Sequence, residues 1–138
     1  MSEMILSICI VSHNTRDLLR DCLRSLPEAC PELAWEVIVA DNGSQDGSVA
    51  MLREEFPHAQ VIENSENLGY TLPMNQALRA GQGRYLIQLN PDTLVKPGAF
   101  SALAGYMDAT PSVGIATPKV LNRDGSLQKQ CRRSAGRP

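Results

Sequence analysis

Two carboxylates in this sequence follow apolar runs, at positions where an uncompensated negative charge is costly. Asp92 comes after Asn90 and Pro91, directly behind the apolar run 85–89, and Asp41 is the last residue of the apolar run 35–41. A carboxylate at the end of a buried strand needs a hydrogen-bond donor, a cation or a metal ion as its partner. Asp92 therefore suits a divalent cation that also binds phosphate oxygens, and Asp41 suits a ribose hydroxyl or a base N–H.

The same residue types also form ordinary turns, and that alternative stays open at this point. Asn, Pro and Asp are common turn formers, so Asp92 could cap a turn without binding anything. Asn67 and Gly69 are expected to form a tight turn, although a glycine also lets the backbone approach a ligand closely. His13 ends the first apolar run and could stack on a base, whereas His58 is expected to face solvent.

Nearly continuous apolar runs alternate along the chain with patterns of helical spacing, which indicates strand–helix–strand units. Strands are predicted at 4–11, 35–41, 59–64 and 84–89, with a short fifth strand at 113–118 and a hairpin at 119–131 around an Asp-Gly turn. Helices are predicted from Asn14 as N-cap up to Pro27, from Asp46 or Ser48 to Glu55, over 71–80, and from about Pro97 to Asp108. The predicted fold class is α/β: a mostly parallel sheet in the order 3-2-1-4 with helices on both faces.

This strand order predicts where a ligand binds. In open α/β sheets, ligands lie beyond the carboxyl ends of the strands, where the strand order reverses. The reversal here falls between the first and fourth strands, so polar residues at the strand ends are expected to share one crevice. They are Ser12, His13 and Asn14 after the first strand, Asp41 after the second, and Asn90 and Asp92 after the fourth.

Length, charge and cysteine spacing exclude several classes of protein. The 138 residues suit one domain, residues 1–138, and 13 basic against 15 acidic residues give a net charge of -2, which offers no attraction for nucleic acid. Four cysteines without a C-x-x-C pair argue against a zinc site and for a reducing cytoplasm. The G-x-G-x-x-G and G-x-S-x-G patterns are missing, which argues against a dinucleotide cofactor and a serine nucleophile. We expect neither a signal peptide nor a membrane span.

Four segments of the sequence carry a resemblance to a known family. They are ICIVSHNTRDLLRDCLRSL, EVIVADNGSQDGS, ENLGYTLPMNQALRAGQGRYLIQLNPDTLV and GSLQKQCRR, in this order. Together they resemble the family-two glycosyltransferases with the GT-A fold, which is Rossmann-like, and most of all their rhamnosyltransferase-like branch. The resemblance implies an inverting enzyme that transfers a sugar from a nucleotide diphosphate sugar to an acceptor hydroxyl, assisted by a divalent metal ion.

The resemblance also implies roles for the residues of the predicted crevice. Residues Ser12, His13 and Asn14 would border the nucleotide base, Asp41 would bond a uracil or thymine ring, and Asn67, Gly69, Asn75 and Asn90 would lie against the donor. Asp92 matches the last residue of the family's D-x-D motif, which ligates Mn²⁺ or Mg²⁺ on the diphosphate. Asn90 replaces the first Asp of that motif, which leaves one metal carboxylate fewer.

The family's general base is an Asp that follows the nucleotide-binding half, and no residue after Val113 matches it. We therefore expect the catalytic base beyond Pro138, and this chain to be the donor-binding half of a longer protein. The partners implied are a UDP- or dTDP-sugar and an acceptor glycan or lipid-linked glycan. Apolar sheet surface left uncovered would favour self-association. We expect a cytoplasmic protein that is peripheral to the inner face of the membrane in its full-length form.

Two other functions stay open on the sequence alone. The first is a catalytically incomplete module that binds nucleotide sugars or serves as a scaffold with the same fold. The second is a sugar nucleotidyltransferase, although that class needs a Gly-rich basic loop after the first strand, and SHNTRD is not one.

Overall fold

Strands and helices alternate through residues 3–128, the part of the chain that this computed structural model describes. The strands are β1 (Leu6–Ser12), β2 (Trp35–Asn42), β3 (Gln60–Asn64) and β4 (Tyr85–Leu89). The helices are α1 (Arg16–Ala29), α2 (Ser48–Glu55), α3 (Thr71–Ala80) and α4 (Ala99–Ala109). The predicted first four strands and all four predicted helices are confirmed to within a few residues.

The strands form one parallel sheet in the order β3-β2-β1-β4, as predicted. The register pairs Ser12 with Asp41 and Asp41 with Glu63, while Ile10 pairs with Leu89. The carboxyl ends of all four strands therefore lie at one edge of the sheet. Chain order reverses at β1, whose neighbours are β2 on one side and β4 on the other.

Helices cover both faces of the sheet, because side chains of β1 alternate between two apolar clusters. Leu6, Ile8 and Ile10 face the larger cluster, which includes buried side chains of α1, α2 and α4. Cys9 faces the smaller cluster, with Met74 of α3. Both faces of β1 are buried, which explains its nearly continuous apolar sequence. None of the helices within residues 3–128 is long and apolar enough to cross a membrane.

Helix α1 differs from the prediction at both ends. It continues through Pro27 to Ala29. Burial of Leu26 and Ala29 in the larger cluster offsets the helical hydrogen bond that the proline cannot donate. Asn14 is not the N-cap. It adopts a positive φ of 51° and its side-chain oxygen accepts a hydrogen bond from the backbone N–H of Gln45, 2.8 Å away.

The Asp46 carboxylate accepts hydrogen bonds at the N-termini of two helices, α1 and α2. One carboxylate oxygen accepts the N–H of Arg16, the first residue of α1, at 2.9 Å. The other accepts the N–H of Ser48, the first residue of α2, at 3.1 Å. Burial opposes ionisation of Asp46, but hydrogen bonds from the Ser48 hydroxyl and from these N–H groups outweigh it and lower the pKa of the carboxyl.

The chain after α4 was predicted less well. Residues 113–118 form no strand, and Ile115 is 92% exposed. An extended segment becomes a strand only by pairing, and no described strand pairs with this one. The predicted hairpin is confirmed as a single antiparallel bridge between Leu121 and Leu127, closed by a turn with Gly125 at a φ of 87°. Its residues 129–131 lie outside the described part of the chain.

We predict that Asp46→Ala lowers the free energy of unfolding by about 1–2 kcal/mol, since both helices lose an N-terminal acceptor. Asp46→Asn should also flatten the acid end of the stability curve. The folded-state pKa of Asp46 lies below 3.8, so its contribution is present above that pH and is lost as pH falls through the folded pKa. Urea unfolding followed by circular dichroism between pH 2 and 7 measures both effects.

Asp21→Asn is the matched control, because Asp21 is an exposed acid of α1 without a hydrogen bond or ion pair in the described residues. Equal stability of Asp46→Ala and the parent chain at neutral pH would contradict the capping role.

Candidate nucleotide-binding crevice

Asp41 is the most deeply buried acid at the carboxyl edge of the sheet. Its side chain ends β2 beside β1 and is 2% exposed. One oxygen accepts the backbone N–H of Ser44 at 2.9 Å, which fixes the turn after β2. The other, Oδ1, is buried and has no hydrogen-bond partner among the residues described. A buried carboxylate oxygen without a donor is costly, so this atom suits a donor brought by a ligand.

His13 lies at the end of β2, where two hydrogen bonds hold its ring in one orientation. The carbonyl of Asn42 can only accept, so Nδ1 of His13 donates to it across 2.7 Å. Nε2 then accepts from the side-chain amide of Asn14 at 3.3 Å. His13 is an exposed residue, so a ligand has access to its side chain. The structure therefore brings His13 to the end of β2, as predicted.

Ser12 and Asn14 make hydrogen bonds that hold the connections around the strand ends. The Ser12 hydroxyl is buried and lies 2.8 Å from the hydroxyl of Thr15. The N–H of Asn14 donates to the Ser44 hydroxyl, 2.9 Å away, and its side chain accepts from the N–H of Gln45. These bonds tie the β1–α1 connection to the β2–α2 loop.

Asn42 is the centre of a hydrogen-bond network that the sequence did not predict. It is 2% exposed, and its side-chain amide donates to the carbonyl of Gly69 at 2.7 Å and to the side chain of Asn67 at 3.3 Å. Its oxygen accepts from Asn64 at 3.3 Å, and Asn64 also donates to Gln76 of α3 at 2.9 Å. These amides bind together the ends of β2 and β3, the loop before α3 and α3 itself. The buried position of Asn42 at the end of an apolar strand was the available signal.

Asn67 and Gly69 form the predicted turn. Gly69 has a φ of 80°, and its N–H donates to the Asn67 side chain at 2.9 Å. Because the Asn42 side chain hydrogen-bonds to both residues, the turn is held at the end of β2. Asn75 is an exposed residue of α3, and with Gly69 it lines a surface groove of about 740 Å³.

Asn90 and Asp92 stand on the far side of β1 from Asp41. The Asn90 carbonyl accepts from the N–H of Thr93 at 3.2 Å and from the Cys22 thiol at 3.8 Å. No described hydrogen bond or ion pair joins Asp92 to Asp41 or His13. Two strand spacings separate the ends of β2 and β4, or roughly 10 Å.

Asp92 has the freedom that a cation ligand needs. Its carboxylate is exposed and makes no hydrogen bond or ion pair within residues 3–128. The same residues contain no group of three His, Cys, Asp or Glu that could hold a metal ion by themselves. Burial, with a smaller contribution from the charge of Asp92, raises the pKa of the nearby Cys22 to about 12, so the thiol stays neutral. A cation here would bind one carboxylate and complete its shell with ligand oxygens and water, which fits Mg²⁺ or Mn²⁺.

Comparison with known proteins gives a consistent result. Residues 7–134 match the family model described as glycosyl transferase family 2. The N-acetylglucosaminyl-diphospho-decaprenol L-rhamnosyltransferase of Mycobacterium tuberculosis (strain ATCC 25618 / H37Rv) is 28% identical over 93% of this chain and 45% of its own length. The poly(ribitol-phosphate) beta-glucosyltransferase of Bacillus spizizenii is 31% identical over 67% of this chain and 15% of its own length. The chain spans less than half the length of these relatives.

Solved structures share the fold. TarS 1-349 of S. aureus, in complex with UDP, superimposes with a TM-score of 0.71 at 20% identity, covering 78% of this chain and 33% of that one. The mannosyltransferase PcManGT of Pyrobaculum calidifontis, in complex with GDP-Man and Mn²⁺, gives a TM-score of 0.66 at 23% identity over 87% of this chain and 34% of that one. The GT-A fold implied by the sequence is thereby confirmed.

We predict that Asn42→Ala lowers the free energy of unfolding by about 1–3 kcal/mol, because it leaves the Gly69 carbonyl without its donor. Amide hydrogen exchange should rise most in the loop 65–70 and the first turn of α3. Asn75→Ala is the matched control, since Asn75 is exposed and makes no described hydrogen bond. Unchanged exchange in the loop would show that Asn42 does not hold it.

Proposed function

We propose, because this chain belongs to glycosyl transferase family 2, that its crevice binds the nucleotide part of a nucleotide diphosphate sugar. The observation that carries this proposal is the buried oxygen of Asp41 that has no partner within residues 3–128. It lies at the end of β2 next to β1, the strand at which chain order reverses. This one unused acceptor atom matches a single N–H donor on a base. The named relatives are glycosyltransferases, which supports the same substrate class.

Base recognition follows from the chemistry of Asp41 and His13. Uracil and thymine each present one imide N–H. Oδ1 of Asp41 would accept it, because the other carboxylate oxygen already accepts the Ser44 N–H. His13, with both ring nitrogens engaged, offers a flat surface for stacking on the same base. We therefore propose UDP- or dTDP-sugars as donors. Ser12 and Asn14 act through the connections that they hold, and Asn67, Gly69 and Asn75 form the neighbouring wall.

The diphosphate would lie toward β4. The separation of roughly 10 Å between the ends of β2 and β4 is comparable with the distance from a base across its ribose to a diphosphate. Asp92 would hold Mn²⁺ or Mg²⁺, with Asn90 shaping the turn before it. Bound there, the metal ion supplies positive charge that stabilises the departing nucleoside diphosphate.

The full reaction that we propose is inverting transfer of the sugar to an acceptor hydroxyl. Inversion by single displacement requires a general base on the face opposite the leaving group. We assign that role to none of residues 3–128. That the base lies beyond Pro138, and that this chain is the donor-binding half of a longer protein, both stay predictions. The M. tuberculosis relative is named for a lipid-linked acceptor. We propose a glycan or lipid-linked glycan here, and a cytoplasmic site of action at the inner face of the membrane.

We predict that the chain binds UDP or dTDP, and that Asp41→Asn weakens binding about 10- to 100-fold. The substituted amide keeps an oxygen for the Ser44 N–H but points an NH₂ group at the base N–H, which removes a charge-assisted hydrogen bond. Isothermal titration calorimetry measures the affinities, and circular dichroism checks the fold. Equal affinity of parent and variant would contradict the assigned role of Asp41.

Asp92→Asn should affect only the part of binding that depends on the metal ion. In the parent chain, Mn²⁺ should tighten UDP binding about tenfold or more, because the cation links the diphosphate to a carboxylate. In the variant that increment should vanish while metal-free affinity stays the same. Glu54→Gln, at an exposed acid of α2 without described partners, is the control.

A transfer assay separates the proposed enzyme from the binding module. Release of UDP from a UDP-sugar by this chain alone would exclude the alternative of a binding module that has no catalytic activity. Binding without any release would favour the module for these 138 residues. Absence of binding for both nucleotides, with and without Mn²⁺, would refute the donor site itself.

A further inference from the structure

The loop between β4 and α4, residues 90–98, carries Asp92 and lies along helix α1. Hydrogen bonds join loop residues to helix residues in three pairs: Asn90 with Cys22, Val95 with Ser25, and Gly98 with Glu28. The helix members are spaced three positions apart, so the contacts follow one another along one side of α1. The loop therefore runs beside α1, in the same direction, for about 9 Å.

The hydroxyl of Ser25 is the central contact, and it both donates and accepts. It donates to the carbonyl of Cys22 at 2.6 Å, which fixes the direction of its one hydrogen. Its lone pairs are then left for the loop, where the hydroxyl accepts the N–H of Val95 at 3.0 Å. The Val95 side chain is buried in the larger apolar cluster. Among the described residues, the Val95 N–H therefore depends on this one acceptor.

The other two contacts hold the Asp92 region less tightly. A thiol is a weak donor, and 3.8 Å separates the Cys22 sulfur from the Asn90 carbonyl. The N–H of Gly98 donates to the carbonyl of Glu28 at 2.8 Å, in the last turn of α1, where carbonyls lack helical partners. Gly98 is further along the chain from Asp92 than Val95 is. Ser25 is therefore the strongest anchor close to Asp92.

Asp92 depends on this loop for its position. Its carboxylate is exposed and makes no hydrogen bond or ion pair within residues 3–128. On one side it is held by the turn in which the Thr93 N–H donates to the Asn90 carbonyl at 3.2 Å. On the other side the next anchor is Val95. The backbone alone thus places the carboxylate, and Ser25 holds that backbone against α1.

We propose that Ser25 is a positioning residue for the cation site at Asp92, an inference that rests on the function proposed above. The hydroxyl makes no hydrogen bond to Asp92, and it acts through the backbone between Asp92 and Val95. Without the hydroxyl, the buried Val95 N–H lacks an acceptor, and the loop relieves this by shifting toward water. A carboxylate that must be reordered at each binding event binds a cation less tightly.

Calorimetry of the 138-residue chain with UDP, with and without Mn²⁺, tests this role. In the parent chain, Mn²⁺ should tighten UDP binding about tenfold or more. In Ser25→Ala this gain should fall to about threefold or less, while the metal-free affinity for UDP stays the same. A general loss of stability would not produce this split, because it would weaken UDP binding with and without the metal ion alike.

Amide hydrogen exchange gives a second readout that needs neither nucleotide nor metal ion. In Ser25→Ala the Val95 N–H should exchange about tenfold faster than in the parent chain or more. Ser25→Thr keeps the hydroxyl and should restore both the slow exchange and the Mn²⁺ gain. Ser101→Ala is the matched control, because Ser101 is a half-buried serine of α4 whose hydroxyl has no partner within residues 3–128. It should behave like the parent chain in both measurements.

The outcomes separate this role from the function on which it rests. A parent chain without any Mn²⁺ gain refutes the cation site, and the role of Ser25 with it. A gain that is equal in the parent chain and in Ser25→Ala refutes the role of Ser25 alone. A smaller gain in Ser25→Ala without faster exchange at Val95 also overturns the proposal, because the hydroxyl would then not act through the loop.

Discussion

The parallel pairing of β1 with both β2 and β4 is the constraint on which the crevice depends. β1 is buried on both faces, so a shift in its register would move apolar side chains out of both clusters at once. That register sets Ser12 level with Asp41, and it places the turn after β4 on the other side of the same strand. The position of Asp41 relative to the ends of β1 and β4 is therefore a property of the core, and Asp92 follows in the turn after β4.

Polar residues at the strand ends extend this order into the loops. Asp46 links the starts of α1 and α2, and Asn42 links β2, β3 and the turn before α3. Both residues direct all their described hydrogen bonds to other parts of the protein. Asp41 differs, because one of its buried oxygens has no partner within residues 3–128. We propose that a ligand supplies the missing donor there.

The sequence predicted the sheet order, the two-sided covering and most element bounds, because hydrophobic periodicity reports local burial directly. These predictions were wrong or incomplete where contacts between residues distant in sequence determine the structure. Pro27 was expected to end α1, yet burial of Leu26 and Ala29 carries the helix past it. Residues 113–118 have the composition of a strand, but composition cannot supply a pairing partner. Asn42 was not singled out, because its hydrogen bonds go to residues more than twenty positions away. The roles predicted for Asp41 and Asp92 came from topology and resemblance. The structure adds that Asp41 is buried with one unused acceptor oxygen, and that Asp92 is exposed and makes no hydrogen bond within residues 3–128.

The most direct test compares UDP with N3-methyl-UDP by calorimetry, on the parent chain and on Asp41→Asn. Methylation removes the one N–H that Oδ1 of Asp41 is proposed to accept, and it leaves the ribose and diphosphate intact. We expect the parent chain to bind UDP about 10- to 100-fold more tightly than the methylated analogue, and the variant to bind the two almost equally. Equal affinity of the parent chain for both nucleotides would contradict the account, because Asp41 would then not recognise the base.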